Sequence, residues 1–555
     1  MTEWIKVSRE EMDWVVKKGY EQFIPDKIWD KAQLPEFFTE CQVVKNNILR
    51  ASILISFPED GGQNFFLKRN HRRHWKDDAK SLFLPSRSFS EWKKLIRLQG
   101  LNLPVPTPLA YGERRNHGIL KDSCLIVEVI ASAQSLNFCF SHKFASPAND
   151  KTFREKTALI NQLARLIARL HHNGVYYRDL HGGNILCQDH SNEPAHLFFV
   201  DTEKARFFSR LSNRKRINDL AMLYNSLFME ANPAWSKFLK TYLNEKKDVA
   251  IHWKIFFRKI QKVARKLQER HIKSRSKRCL KKSTSFGIRA GEGKKIYFRK
   301  EFSDNLVTQA LAATKRLQNE AIKAEPLRKG GKRKAFRIRI PDNQRYSSLW
   351  IREYRHSRIE QLKSVIGFSP GKKDWFQSNS LLVRKIPAPL PLALVEKKGT
   401  IGITASLLIT EDLSFCHRLD HYIVNNIQPE KGTMTFSRKL RFIQDLAESF
   451  NRLYEKQIVP KTVRAENIFI DEPEENSWRC YLADLNRIAF NHTVSADNKL
   501  TNLLCFNESL PFEVGPRDRL RFLFHFLSAW PRNERKAFVR KVLNSNQLIG
   551  NDKAN

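Results

Sequence analysis

The segment GVYYRDLHGGNILC, residues 174–187, sets Asp179 five residues ahead of Asn184, and the apolar run LFFV further on ends at Asp201. A carboxylate, an amide and a second carboxylate are the side-chain types that phosphoryl transfer needs. One carboxylate orients an acceptor hydroxyl and takes its proton, while an amide and another carboxylate hold Mg²⁺ on nucleotide phosphates. Upstream, Lys68 lies in FFLKR and Glu91 in SEWKKLIRLQ. Taken singly these residues say little. Arg-Asp with Asn five residues on arises by chance, an Asp closing a strand is often a turn residue, and a Lys beside Arg on a strand is usually a solvated edge. The order Lys, Glu, Asp, Asn, Asp in matching structural contexts is far more specific.

Strands and helices must position these residues. Segments 39–56 and 63–68 are alternating or β-rich and are separated by the turn signal PEDGG, which predicts strands. A helix over Ser88–Gln99 carries Glu91, and the extended PVPTP and a buried strand SCLIVEV follow. EKTALINQLARLIARLHH is amphipathic: Leu159, Ile160, Leu163, Leu166, Ile167 and Leu170 share a face, and Gly174 stops the helix. The HHN at 171–173 then closes a helix rather than binding metal. Two short strands, NILCQD and HLFFVD, come next, and the remainder is helical. A small β-rich lobe followed by a mostly helical one, joined near Glu128, implies a bilobal fold with a cleft.

This pattern occurs twice. A shift of 283 residues lays PVPTPLA (104–110) on PAPLPLA (387–393), INQLARLIARL (160–170) on IQDLAESFNRL (443–453), Asn184 on Asn467 and Asp201 on Asp484. Upstream, a shift of 284 lays FFLKR (65–69) on LWIRE (349–353). The chain is thus expected to be two copies of one domain, 1–275 and 276–555. The basic stretch 257–283 is expected to be the last helix of the first copy, with Ile260, Val263, Ala264 and Leu267 on its apolar face, running into a charged linker.

Lys68, Glu91, Asp179, Asn184 and Asp201 together resemble the protein-kinase-like fold. The resemblance implies that Asp179 is the catalytic carboxylate and that Asn184 and Asp201 hold Mg²⁺. It also implies that Lys68 binds the α- and β-phosphates of ATP and that Glu91 pairs with it. KRNHRRH, SEWKKLIRLQGLNLPVPTPLAYGER, LIVEVI and an Asp followed by TEKAR rather than Phe-Gly are similar to the bacterial lipopolysaccharide core kinases, the heptose and Kdo kinases grouped with the InaA-like proteins. That likeness covers roughly residues 45–225, and Asp219 in RKRINDLAML resembles the aspartate that braces the catalytic loop. It implies an α+β fold class, two tandem bilobal kinase-like domains, and ATP-dependent phosphorylation of a sugar hydroxyl of the lipopolysaccharide core at the cytoplasmic face of the inner membrane. Two features depart from the pattern. VVKNNILRAS stands where a Gly-rich turn is expected, its Asn46-Asn47 matching Gly330-Gly331, and Tyr177 holds the place of the usual His before Arg-Asp.

The second copy keeps less of this chemistry. Thr462 matches Asp179, Arg352 matches Lys68 and Asp374 matches Glu91, while Asn467 and Asp484 are retained. Thr cannot act as a base near neutral pH, and Arg does not replace a compact ammonium between phosphates. The second copy is expected to be either a pseudokinase or a purely structural partner.

Composition bounds the rest. With 98 Lys and Arg against 58 Asp and Glu, the 555-residue chain carries a formal charge of +40, and 41% hydrophobic residues exclude chain-wide disorder. Eight scattered cysteines without a CxxC pair fit reduced thiols rather than disulfides or zinc. Neither a signal peptide nor a spanning helix is expected. The cationic runs at 68–76, 257–283 and 328–339 suit an anionic glycolipid acceptor and peripheral contact with an anionic membrane. Nucleic acid would be attracted equally, but no RNA- or DNA-binding signature accompanies the charge, so no specific nucleic acid is expected. Oligomeric state is left open. The alternatives are a protein Ser/Thr kinase and a non-catalytic basic scaffold or nucleic-acid-binding protein built on kinase folds.

Overall fold

The computed structural model describes residues 3–9, 11–24, 40–47, 50–57, 63–71, 84–144, 150–190, 193–228, 232–245, 252–302, 304–319, 333–340, 348–367, 369–413, 415–427, 434–483, 488–490, 494–528, 530 and 532–551. Its contacts divide the chain into Met1–Gln268 and Glu269–Asn555. Asp484 and Gly330-Gly331, as well as parts of the cationic runs at 68–76 and 328–339, lie outside the described residues.

The first unit opens with a seven-stranded antiparallel sheet. Its order is Trp4–Arg9, Met12–Lys17, Pro108–Asn116, Ile119–Glu128, Gln63–His71, Arg50–Phe57 and Glu40–Asn47. Met12, Trp14, Val16, Ile53, Ile55, Phe65, Leu67 and Ile126 form the core on one face. Leu125 and Val127 belong instead to the main core, with Leu95 and Leu98 of the helix Arg87–Gly100. Side chains alternate along a strand, so Phe66, Lys68 and Asn70 share the face toward that helix. The expected strand over 39–56 is two strands, Glu40–Asn47 and Arg50–Phe57, paired as a tight hairpin through Asn47 and Arg50. The reversal falls at the β-poor pair Asn46-Asn47, set in a run that is otherwise β-rich.

The helical part is built on Asp150–His172, whose Leu159, Ile160, Leu163, Ala164, Leu166, Ile167 and Leu170 are buried. Gly174 then turns the chain at φ 70, where a Cβ would lie 1.8 Å from the Phe208 carbonyl oxygen. No other residue type fits there without displacing backbone. The expected charged linker is helical as well: Trp253–Ser276 is one helix, followed by a 3-10 turn at Lys277–Leu280. Phe256, Ile260 and Ala264 anchor its first part in the core, and no Gly or Pro interrupts the rest.

The second unit repeats the plan. Its six-stranded antiparallel sheet runs Phe286–Gly291, Lys294–Arg299, Pro391–Lys398, Ile403–Glu411, Ser348–Arg355 and Arg333–Arg339. The helix Asp304–Asn319 packs Val307 and Ala310 with the core of one sheet face, and Pro370–Val383 brings Trp375 to the other. A mostly helical part around Phe436–Glu455 and Pro516–Leu527 completes it. Both units are thus a β-rich lobe followed by a mostly helical lobe: the fold is α+β, two tandem bilobal kinase-like domains.

Candidate active site

Lys68 is placed by strand register, opposite Ser52 and Leu125. Ser86 caps the facing helix by accepting a hydrogen bond from the Phe89 amide. Ser88 and Glu91, three residues apart, then face the sheet. Ser88 Oγ accepts from Asn70 Nδ2 at 3.2 Å, and Lys68 Nζ lies 2.6 Å from Glu91 Oε1. Glu91 is buried and Lys68 nearly so, which shields the pair from solvent and strengthens it.

Asp201 begins the 3-10 turn Thr202–Lys204 in left-handed conformation, φ 62 and ψ 57. Carboxylate oxygens of Glu91, Asp201 and Glu203 lie within 4.8 Å of one another. The turn is tied to the Glu91 helix by Lys94, whose Nζ donates to the Glu203 carbonyl, and by Arg87, 3.8 Å from the Glu203 carboxylate. Burial pushes the Lys94 ammonium down from its ordinary range. Strand lysine, helix glutamate and Asp201 are therefore brought into one site.

Asp179 and Asn184 sit on the loop between the strands Val175–Tyr176 and Ile185–His190. Asp219, fully buried, accepts the Tyr177 amide at 2.8 Å and the Arg178 amide at 2.9 Å. This holds Arg178 left-handed at φ 68. His171, also buried, lies 3.4 Å from Asp219 and exchanges a 2.8 Å hydrogen bond with Tyr242. The helix-closing histidine is thus part of the brace. Tyr177, in the place of the expected His, donates its hydroxyl to the Val200 carbonyl next to Asp201. Burial, reinforced by Asp201 and Glu91, pushes its phenol well above the ordinary range and keeps it a donor. Tyr177 therefore links the Asp179 loop to the Asp201 strand.

Asn184 Nδ2 donates to the Asp179 carbonyl at 3.0 Å, and the Gly182 amide donates to Ser226 Oγ at 2.8 Å. The Asp179 carboxylate lies 2.5 Å from Lys204 Nζ, with His181 at 4.0 Å. Sequence reasoning missed Lys204 and Glu203. The only signal was two charges within three residues of Asp201, and such spacing does not reveal how far a side chain reaches.

The profile of the Lipopolysaccharide kinase (Kdo/WaaP) family matches residues 50–242 and again 361–523. The chain belongs to this family. Lipopolysaccharide core heptose(I) kinase WaaP of Pseudomonas aeruginosa is 29% identical over 195 residues, covering 33% of this chain and 71% of that protein. 3-Deoxy-D-manno-octulosonic acid kinase of Xylella fastidiosa is 29% identical over 143 residues, 26% of this chain and half of the relative. A solved structure of WaaP in complex with acyl carrier protein matches with 20% identity and a TM-score of 0.34, over 47% of this chain and 98% of that one.

The family's second segment has the same neutral framework. The Asn467 amide donates to the Arg464 carbonyl, the Ala483 amide to Asn467 and the Ala465 amide to Ser509 Oγ. The first unit makes the same bonds at Asn184, Val200 and Gly182. The charged parts differ. Arg352 approaches Asp374 only to 3.9 Å, and Tyr354 donates to the same carboxylate oxygen at 2.5 Å. Asn502 matches Asp219, Pro460 matches Tyr177, and Thr462 is exposed.

Proposed function

We propose that this family member transfers a phosphoryl group from ATP to a sugar hydroxyl of the lipopolysaccharide core or a related anionic glycolipid, with catalysis in the first unit. The observation that carries this is the 2.6 Å Lys68–Glu91 pair, whose glutamate also lies within 4.8 Å of Asp201. The named activities of the heptose and Kdo kinase relatives supply the acceptor class.

Asp201 and Asn184 suit Mg²⁺ by donor chemistry, since both offer hard oxygen atoms. Asn184 has its Nδ2 committed to the Asp179 carbonyl, which leaves Oδ1 as its ligand atom. Bound Mg²⁺–ATP supplies the phosphoryl group and neutralises its charge. Lys68 binds the phosphates, Glu91 fixes the lysine, and Asp179 orients the acceptor hydroxyl and takes its proton. Lys204 holds the Asp179 carboxylate until the acceptor arrives. The second unit, with Thr462 for Asp179, is a pseudokinase. The +40 charge supports peripheral contact with an anionic membrane, and the acceptors named for the relatives support placing the enzyme at the cytoplasmic face of the inner membrane. Among the described residues no helix is long and apolar enough to cross a membrane.

The test is incubation with labelled ATP and Mg²⁺, offering core oligosaccharide, a generic protein and no acceptor in parallel. Transfer to core sugar that falls by about 10²–10⁴ in Asp179→Ala is expected. Transfer that persists in that variant, or label on protein alone, would overturn the proposal.

A further inference from the structure

The second unit carries a helix that is turned inside out. Arg358–Val365 begins with a capping box between Ser357 and Glu360, and its polar side faces the protein. Gln361 Nε2 donates to the His356 carbonyl at 3.1 Å, and Ser364 Oγ accepts the Ile403 amide at 2.7 Å. Beneath the helix, a Cβ on Gly402 would come within 2.2 Å of the Gln361 carbonyl oxygen, so the helix sits directly on the hairpin of Pro391–Lys398 and Ile403–Glu411. The outer side is aliphatic. Ile359 is 65%, Leu362 60%, Val365 65% and Ile366 75% exposed, and the hairpin adds Ile401 at 54%. Contiguous exposed aliphatics on one face mark a binding surface.

Charge identifies what binds there. Arg358, Lys363, Lys373, Lys397 and Lys398 are exposed on the helix and the segments beside it. The two acids within 355–373 and 396–402 are engaged: Glu360 in the capping box, and Glu396 with the Ser369 hydroxyl. An aliphatic ridge rimmed by cations complements an anionic bilayer, where acyl chains lie beneath negative headgroups. We infer that the outer face of Arg358–Val365, with Ile366 and Ile401, inserts into an anionic lipid surface and holds the chain there. The inference rests on the proposal that the acceptor is a membrane-borne glycolipid, and it assigns the contact to the second unit.

The test uses the full chain sedimented with vesicles of phosphatidylglycerol and phosphatidylcholine in equal parts, or of phosphatidylcholine alone. The wild type is expected to prefer the anionic vesicles. Ile359→Gln/Leu362→Gln/Ile366→Gln is expected to weaken that binding at least tenfold, about 1.4 kcal/mol, with an unchanged thermal transition. Lys397→Gln/Lys398→Gln is expected to weaken it and flatten its salt dependence. A triple variant that sediments like wild type overturns the inference. Should that variant unfold, Ile366→Trp reports instead: its fluorescence shifts to the blue on anionic vesicles, and no shift refutes insertion. A dimer in light scattering that the triple variant abolishes while lipid binding persists would assign the face to a second copy. Transfer to a lipid-free core oligosaccharide is expected to be unaffected by the triple variant, so loss of kinase activity and loss of lipid binding read out separately.

Discussion

Asp219→Asn isolates what holds the Asp179 loop. Asp219 is fully buried and accepts two backbone amides, Tyr177 at 2.8 Å and Arg178 at 2.9 Å. Hydrogen bonds to a charged acceptor contribute roughly 1.5–3 kcal/mol each. Arg178 is left-handed at φ 68, a conformation that costs a non-glycine residue about 1–2 kcal/mol. Asparagine keeps one accepting oxygen and turns an NH₂ toward the second amide, so one bond is lost and two donors face each other. A net change of about 3 kcal/mol is enough to release Arg178 and depopulate the competent loop roughly a hundredfold. Lys68, Glu91 and Asp201 lie on other elements, and Asn184 keeps its own backbone bonds to His181 and Val200. Steady-state kinetics should therefore show kcat lowered about a hundredfold and KM for ATP changed less than threefold, with nucleotide binding retained. A kcat within threefold of wild type would refute the claim that the brace holds the loop against backbone strain.

Lys204→Met removes the cation 2.5 Å from the Asp179 carboxylate and should lower kcat about tenfold at unchanged KM for ATP, with Lys204→Arg largely active; full activity of the methionine variant would show the pair to be incidental. Burial pushes the Glu411 carboxyl up from its ordinary 4.5, against the opposing pull of the Leu390 amide and Arg299. A raised carboxyl pKa destabilises the folded state once pH rises through it, so Glu411→Gln should raise the thermal transition at pH 7.5, with the gain vanishing toward about pH 4.5; a gain independent of pH would contradict this. In a full chain silenced by Asp179→Ala, Thr462→Asp should restore no transfer from labelled ATP, and measurable turnover would show the second unit to be one residue from activity.

Much of this architecture is legible where the chain repeats a period. The buried stripe Leu159–Leu170 predicts its helix because apolar residues recur on one face. Lys68 and Glu91 are placed by a β-rich run and a helical run, and alternation along the strand selects the face on which they meet. What escapes is side-chain reach and chain reversal. Glu91 and Glu203 are 112 residues apart, and no local pattern states that their carboxylates approach Asp201. The reversal within 40–57 is marked by nothing stronger than the pair Asn46-Asn47, in a run that otherwise reads as strand. Trp4–Arg9 and Met12–Lys17 escaped notice, although Met12, Trp14 and Val16 alternate as a buried strand should. Arg358–Val365 defeats pattern reading most directly, because its apolar stripe marks the outside rather than the core.

The two units also separate the parts of the site that recur with the fold from those that differ. Bonds between neutral groups recur in both: Gly182 or Ala465 to a serine hydroxyl, Asn184 or Asn467 to the carbonyl three residues back, and Val200 or Ala483 to that asparagine. Two carboxylates are lost together in the second unit: Thr462 stands for Asp179 and Asn502 for Asp219. Pro460 has no N–H to donate, so a carboxylate at 502 would be buried with one amide donor fewer than Asp219 has. A buried charge short of partners is costly, and Asn502 avoids that cost. Lys461, unlike Arg178, is not left-handed, so the second loop has no strain for a brace to hold. Thr462 at the end of that relaxed loop is a consequence as much as a cause. The second unit folds without the buried carboxylate, so Asp219 is not a requirement of the fold. Its place in the first unit is explained by the left-handed Arg178 it holds, as the role proposed for Asp179 requires.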